Sequence, residues 1–318
     1  MPDVVILVMA FGTPGADPQS AAHFLSQVSG HTPTPEQVDD LLRRVAAIGG
    51  SPIVEITRRQ AGALERELAR RHGPGGLAVA MAMRHGDPAP ETVLSSLPDG
   101  GRLVILPLSP QDSADRRRYR ERVDAAATTL GRTWDMDEIP AFGIDARFAA
   151  LLAGRLRSTL ETVPPSAPVV FTAHSLPRAL PGSYEYCDAV AATAQHVAQT
   201  CGLPDERWSA AFQSVPPAAR QPWLEPNLND VVADLATHAP AVVVAPVQFV
   251  TDHMEILYDI DVTARGIAAA HGCRLARPAA LNAGADFITF CADLVDEHLG
   301  LRDTTAAPTL AAPAGRRA

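Results

Sequence analysis

Apolar residues in this chain gather into short continuous runs, separated by longer stretches in which they recur at helical spacing. The continuous runs are Val4 to Phe11, Leu77 to Met83, Leu103 to Leu108, Val169 to Thr172, Ser209 to Phe212 and Val242 to Val247. Their length and near-absence of polar residues predict strands buried on both faces. Helical spacing marks Pro18 to Val28, Pro35 to Ile48, Ile53 to Arg71, Asp115 to Leu130, Ala146 to Leu160, Ser183 to Cys201, Leu228 to Thr237 and Ile256 to Ala270. Strands alternating with helices predict an α/β protein with parallel sheets covered by helices. A proline-rich break, Glu161-Thr-Val-Pro-Pro-Ser-Ala-Pro168, falls near the middle, and the alternation restarts after it. The pattern therefore predicts two Rossmann-like domains, residues 1–163 and 164–300, facing one another across a cleft. Residues 301–318, dominated by Ala, Pro and Thr, read as a disordered tail.

Composition narrows the function. The chain has 318 residues, 47% of them apolar and 20% charged, which is ordinary for a soluble globular protein. No apolar run reaches the ~18 residues of a spanning helix, and the acidic start Met1-Pro2-Asp3 does not resemble a signal peptide, so the expected compartment is the cytoplasm. A net charge of −9 argues against a sequence-independent nucleic-acid partner. All 27 basic residues are arginine, which excludes Schiff-base lysine chemistry and a Walker-type phosphate loop. No G-x-G-x-x-G follows the first strand. Cys187, Cys201, Cys273 and Cys291 show no C-x-x-C spacing and read as small buried hydrophobes.

Ligands of open parallel sheets sit beyond the carboxyl ends of strands, and chemistry-bearing residues stand at three such ends. In Val170-Phe-Thr-Ala-His-Ser-Leu-Pro177 a buried strand delivers His174, whose imidazole can accept a proton or ligate a divalent ion; a structural strand-end histidine gives the same pattern. After Val247 come Asp252, Glu255, Asp259 and Asp261, the first three spaced to share one face of a helix. A solvated helix start gives that pattern too. Together a histidine and a carboxylate strip suit proton transfer or divalent-cation binding. The third end, Val8-Met-Ala-Phe-Gly-Thr-Pro14, places Gly12 where backbone approaches closely, either to a ligand or within a tight turn.

These segments resemble the ferrochelatase family, including the coproporphyrin ferrochelatases of bacteria, over nearly the whole chain. The markers are Met9-Ala-Phe-Gly-Thr-Pro14, Ile48-Gly-Gly-Ser-Pro52, Phe171-Thr-Ala-His-Ser-Leu-Pro177, Gln213-Ser214 with Trp223-Leu224, and Phe249-Val-Thr-Asp-His-Met-Glu-Ile-Leu-Tyr-Asp259. The resemblance implies a chelatase-like fold that inserts Fe(II) into a porphyrin, coproporphyrin III or protoporphyrin IX, in haem biosynthesis. It implies His174 and Glu255 as metal ligand and proton acceptor, with Asp259 on the metal side and Asp252 along the metal or proton route. Phe11, Arg44, Ser51, Tyr119 and Trp223 match substrate-wall positions. A monomer is the family's default, and the only partner implied is the porphyrin, as substrate or as bound porphyrin or haem. Burial is expected to raise the Glu255 pKa and depress that of His174.

The chain also departs from that family. Bacterial relatives commonly read Ala-Tyr-Gly-Thr-Pro where Phe11 stands here, and carry an arginine cluster for the porphyrin carboxylates where this chain reads Gln27-Val-Ser-Gly-His-Thr32. Arg116, Arg117 and Arg118 are candidates for replacement anion anchors, against the alternative of a solvated charged turn. Trp-Leu-Gly-Pro becomes Trp223-Leu-Glu-Pro226. No cysteine follows Cys291, so no [2Fe–2S] cluster is expected. Two further readings are a divergent paralogue that takes another metal, tetrapyrrole or bound haem, and a non-catalytic tetrapyrrole or metal carrier.

Overall fold

The computed structural model describes residues 3–216 and 219–301; the predicted tail, apart from Leu301, lies outside them. The chain order is β1 (Val4–Gly12), α1 (Pro18–Ser29), α2 (Pro35–Ala47), α3 (Ile53–His72), β2 (Leu77–His85), α4 (Pro90–Ser96), β3 (Arg102–Pro107), α5 (Ala114–Leu130), β4 (Asp135–Glu138) and α6 (Ala146–Leu160). It continues with β5 (Val169–His174), α7 (Ser183–Cys201), β6 (Trp208–Gln213), α8 (Leu228–Ala236), β7 (Ala241–Pro246), α9 (Met254–Leu257), a π-helical stretch (Asp259–Ala264), α10 (Arg265–Ala270), β8 (Arg274–Ala276) and α11 (Ala285–His298).

The strands form two four-stranded parallel sheets, ordered β2-β1-β3-β4 and β6-β5-β7-β8. Both orders are the same when each half is counted from its own first strand. Alternate residues of each strand point to opposite faces, and each face is covered. Ile6, Val8, Val104 and Leu106 pack toward α3 and α11, whereas Val5, Leu7, Met9, Leu103 and Ile105 pack toward α5. In the second sheet Val169, Phe171, Val243 and Ala245 meet α6 and α7, and Val170, Val242 and Val244 meet α8 and the π-helical stretch. Burial on both faces explains why the strands read as unbroken apolar runs. Helix starts follow local chemistry: α2 opens on a capping box of Thr34 and Gln37 with Pro35 in the first turn, and α5 on Ser113, whose hydroxyl accepts from the Arg116 N–H.

The segment 161–168 joins α6 to β5. The last helix, α11, does not stay with the second sheet. Phe287, Phe290, Cys291 and Val295 pack against Ile6, Leu64 and Leu106, and Arg71 of α3 binds Asp293 and Asp296 at 2.8 and 2.7 Å. The carboxyl-terminal helix thus ties the second half back onto the first. Among the described residues, no helix is long and apolar enough to cross a membrane.

In each sheet the first strand is flanked by the next two, so the chain leaves it to one side and then the other. This topological switch point leaves a crevice at the strand ends, between β1 and β3 in one half and β5 and β7 in the other. The cleft of the molecule opens there.

Candidate active site

A cleft of about 1200 Å³ is lined from both sheets. The first sheet and its helices contribute Phe11, Arg44, Arg84, Arg118 and Tyr119; the second contributes His174, Trp223, His253, Glu255 and Asp259. Phe24, Leu25 and Phe249 make much of the wall apolar.

His174 ends β5, in register with Gln213 of β6. Its backbone N–H donates to Gln248 Oε1 at 2.8 Å, and its carbonyl accepts from the Tyr186 hydroxyl at 2.9 Å. The ring is held through Nδ1, 2.5 Å from the Ser175 carbonyl oxygen. A carbonyl only accepts, so Nδ1 carries a proton and Nε2 is the ring nitrogen left facing the cleft. Nε2 lies 3.7 Å from Glu255 Oε1, too far for a hydrogen bond between them.

Glu255 is set by three groups. Gln213 Nε2 donates to its backbone carbonyl at 2.7 Å, and Gln213 Oε1 accepts from Thr172 Oγ1 at 3.1 Å, which links α9 to the floor of the second sheet. The third group is His253, whose Nε2 is 3.0 Å from Glu255 Oε2 while Nδ1 is 2.8 Å from the Thr251 carbonyl oxygen. Both partners of this ring are acceptors, so both its nitrogens carry protons and His253 is an imidazolium. Burial opposes that charge, but the hydrogen bond and charge of Glu255 outweigh it and raise the His253 pKa. For Glu255 burial pulls upward, yet the positive charge that His174 carries when both its ring nitrogens are protonated, and then the hydrogen bond from His253, hold its carboxyl down at about 2. The expected rise is therefore reversed, because His174 first and then His253, on either side of the carboxylate, outweigh its burial.

Asp259 lines the same cleft, and burial raises its pKa against the Ser214 hydroxyl that donates to Oδ2. The three acids expected on one helix face are not together. The helix begins at Met254, so Asp252 precedes it and turns to Arg277 at 3.1 Å and Asn282 Nδ2 at 2.8 Å. Asp261 also binds Arg277, at 2.7 Å. Between Tyr258 and Ala264 the backbone widens, the Tyr258 carbonyl accepting from both Val262 and Thr263. Among the described residues no three His, Cys, Asp or Glu side chains are grouped to hold a metal ion, so His174, Glu255 and Asp259 do not form a preassembled ligand set.

Of the other predicted residues, Arg44 stacks 5.4 Å above the Tyr258 ring and pairs with Asp40 at 2.8 Å. Trp223 bridges to Pro177 by an antiparallel backbone pair. Ser51 lies between α2 and α3, outside the cleft-lining residues. The three arginines diverge. Arg118 lines the cleft, Arg117 is exposed beside Asp112 at 3.7 Å, and Arg116 is buried, donating to the Ser109 and Ile139 carbonyls and to Glu138. Arg116 is a packing residue whose donors are already used, so it offers no anion anchor. Gly12, too, serves the backbone: at φ 103° a Cβ there would stand 1.8 Å from the His85 carbonyl oxygen. Cys273 and Cys291 are buried as expected, whereas Cys187 and Cys201 are only half-buried, and burial pushes all four thiols up.

The family model described as Ferrochelatase matches residues 3–299. A protein named ferrochelatase in Deinococcus radiodurans is 31% identical over 301 residues, covering 92% of this chain and 94% of its own length. A coproporphyrin III ferrochelatase of Bacillus subtilis is 29% identical over 306 residues, with 93% and 97% covered. Among solved structures, SirB from Bacillus subtilis with Fe3+ superposes with a TM-score of 0.54 over 93% of this chain and 95% of its own, at 12% identity. CbiX, described as the terminal enzyme of sirohaem biosynthesis in denitrifying bacteria, gives 0.52 over 92% and 98%, at 16% identity. At those identities the likeness is one of fold.

Proposed function

This chain belongs to the ferrochelatase family and is a metal chelatase, and from that premise we propose that it inserts Fe(II) into a carboxylate-bearing porphyrin, coproporphyrin III or protoporphyrin IX. The observation that carries this reading is the placement of His174 Nε2 and Glu255 Oε1 3.7 Å apart in a cleft large enough for a macrocycle.

Metallation removes two pyrrole N–H protons and strips water from the arriving ion, so it needs a base, a transient ligand and a water-poor cavity. In its unprotonated form Nε2 of His174 takes a proton from the macrocycle. Glu255, an anion across the neutral pH range, offers Oε1 to the ion, while His253 occupies Oε2 and fixes the carboxylate plane. Two atoms 3.7 Å apart can both reach one first-row divalent ion at about 2.1 Å. The half-satisfied pair releases the ion more readily than a full ligand set, as a reaction that delivers metal requires. Asp259 stands farther along the same wall as an acceptor for protons leaving the site, and Arg44 and Arg118 receive carboxylates of the substrate.

Insertion kinetics in His174→Ala and Glu255→Gln test the assignment. Each is expected to lower kcat by about 10²-fold or more, with porphyrin affinity, read from fluorescence quenching, nearly unchanged. Rates within about twofold of the parent in both variants would contradict it.

A further inference from the structure

Arg84, next to the last residue of β2, is only 5% exposed yet lines the cleft on the wall of the first sheet. Its guanidinium carbon lies 5.3 Å from the ring centre of Phe11 and 5.2 Å from that of Tyr119. Nη1 reaches Asp115 twice, at 2.9 Å to Oδ1 and 3.1 Å to the backbone carbonyl oxygen. Holding a cation there carries a desolvation cost, against which stand two aromatic faces and the carboxylate and backbone carbonyl of Asp115. A straight apolar side chain would fill the same slot between the rings without that cost, so packing does not account for the charge.

We propose that Arg84 supplies a fixed positive field that keeps the ring nitrogens of the bound macrocycle unprotonated and stabilises the negative charge left on them as their protons depart. The inference rests on the porphyrin-metallating reading above. In the free base two nitrogens carry hydrogen and two carry lone pairs, which must stay free to receive the ion. Each N–H bond breaks with its electron pair remaining on nitrogen, and the proton passes to His174 Nε2 and then to solvent. The dianion so formed binds Fe(II), giving a neutral chelate and two released protons. A cation on the wall opposite the base favours the anionic macrocycle without competing for its protons.

The charged and titratable groups facing Arg84 are Asp115 and Tyr119 of α5, Arg118 on the same helix 4.0 Å from Asp115, and His85 beside it on β2. Asp115 opposes the guanidinium, but at the neighbouring His85 ring the charge of Arg84 weighs more than that of Asp115. Burial first, then the charge of Arg84, and less strongly those of Arg122 and Arg118 on α5, push the His85 imidazole down to about 4 against the upward pull of Asp115.

The test uses metal-free protein loaded with coproporphyrin III or protoporphyrin IX, following the visible bands of the macrocycle as pH falls. In Arg84→Met the conversion of the free base to its protonated form is expected about one pH unit higher than in the parent, a tenfold change in basicity. Arg84→Lys restores the parent midpoint, and Asp115→Asn, which removes the opposing charge, moves it lower. The porphyrin KM of Arg84→Met stays near the parent value while kcat for insertion falls about tenfold. If the parent binds and metallates porphyrin but the midpoint stays put in both Arg84→Met and Asp115→Asn, the role of Arg84 is overturned and the metallating reading stands. A parent that binds no porphyrin overturns both.

Discussion

The 3.0 Å contact between His253 and Glu255 fixes the charge state of the site, and it makes stability depend on pH in two opposite ways. Glu255 is lowered from 4.5 to about 2 on folding, so its contribution is full above pH 4.5 and is lost as pH falls toward 2. His253 is raised from 6.5, so its contribution is full below pH 6.5 and is lost as pH rises through the higher folded value. Both act together only between pH 4.5 and 6.5. Urea denaturation of the parent and Glu255→Gln across pH should therefore show the largest stability difference in that window, narrowing on either side. A difference that does not vary with pH would mean that the buried ion pair is absent. His85, held down at about 4, adds a further loss of stability as pH falls below 6.5, in parent and variant alike.

At the scale of elements, the cleft wall depends on how β1 ends against β2. Gly12 and His85 pair in register there, at a φ that disfavours a side chain and with no room for a Cβ. Gly12→Ala is expected to cost about 2 kcal/mol or more in denaturant unfolding and to weaken porphyrin binding, because Phe11 and Arg84 flank the pair. Unchanged stability would show that the strand ends relax independently of the wall. The elements readable from sequence were those whose physics leaves a pattern. The six apolar runs became strands because both sheet faces are covered, but β4, reading Asp-Met-Asp-Glu at a sheet edge, and the three-residue β8 leave no run. The helix α11 escaped because it is buried between α3 and α6, so apolar residues surround it and the one-sided spacing of a surface helix is blurred. The expected helix Ile256 to Ala270 exists in pieces, starting at Met254 and opening into a π turn at Asp259. That shift separates Asp252 from Glu255. His253 was hidden for a related reason: its approach to Glu255 comes from the extended backbone before the helix, which no helical spacing encodes.

For the whole molecule, the two sheets share one strand order and bring their switch points to a common cleft, so residues far apart in sequence face one another. That His174 and Glu255 would line the cleft was legible because each follows a buried strand, and such folds open their crevice at the strand ends. Arg84 was not, since a charged residue closing a strand has many ordinary reasons to be there. The resulting cleft is asymmetric: Phe11, Arg84 and Tyr119 present an aromatic and cationic wall, and His174, Glu255 and Asp259 a basic and anionic one. On the proposed reading a divalent ion is drawn to the second wall and the deprotonated macrocycle is favoured by the first, so charge separation is built in before either substrate arrives. The most direct measurement is an anaerobic visible-absorption assay of the purified protein with Fe(II) and excess coproporphyrin III or protoporphyrin IX. The account predicts that the free-porphyrin bands disappear over many equivalents per protein, replaced by those of the iron chelate. Tight porphyrin binding with no more than one equivalent converted would contradict it and mark the protein as a carrier.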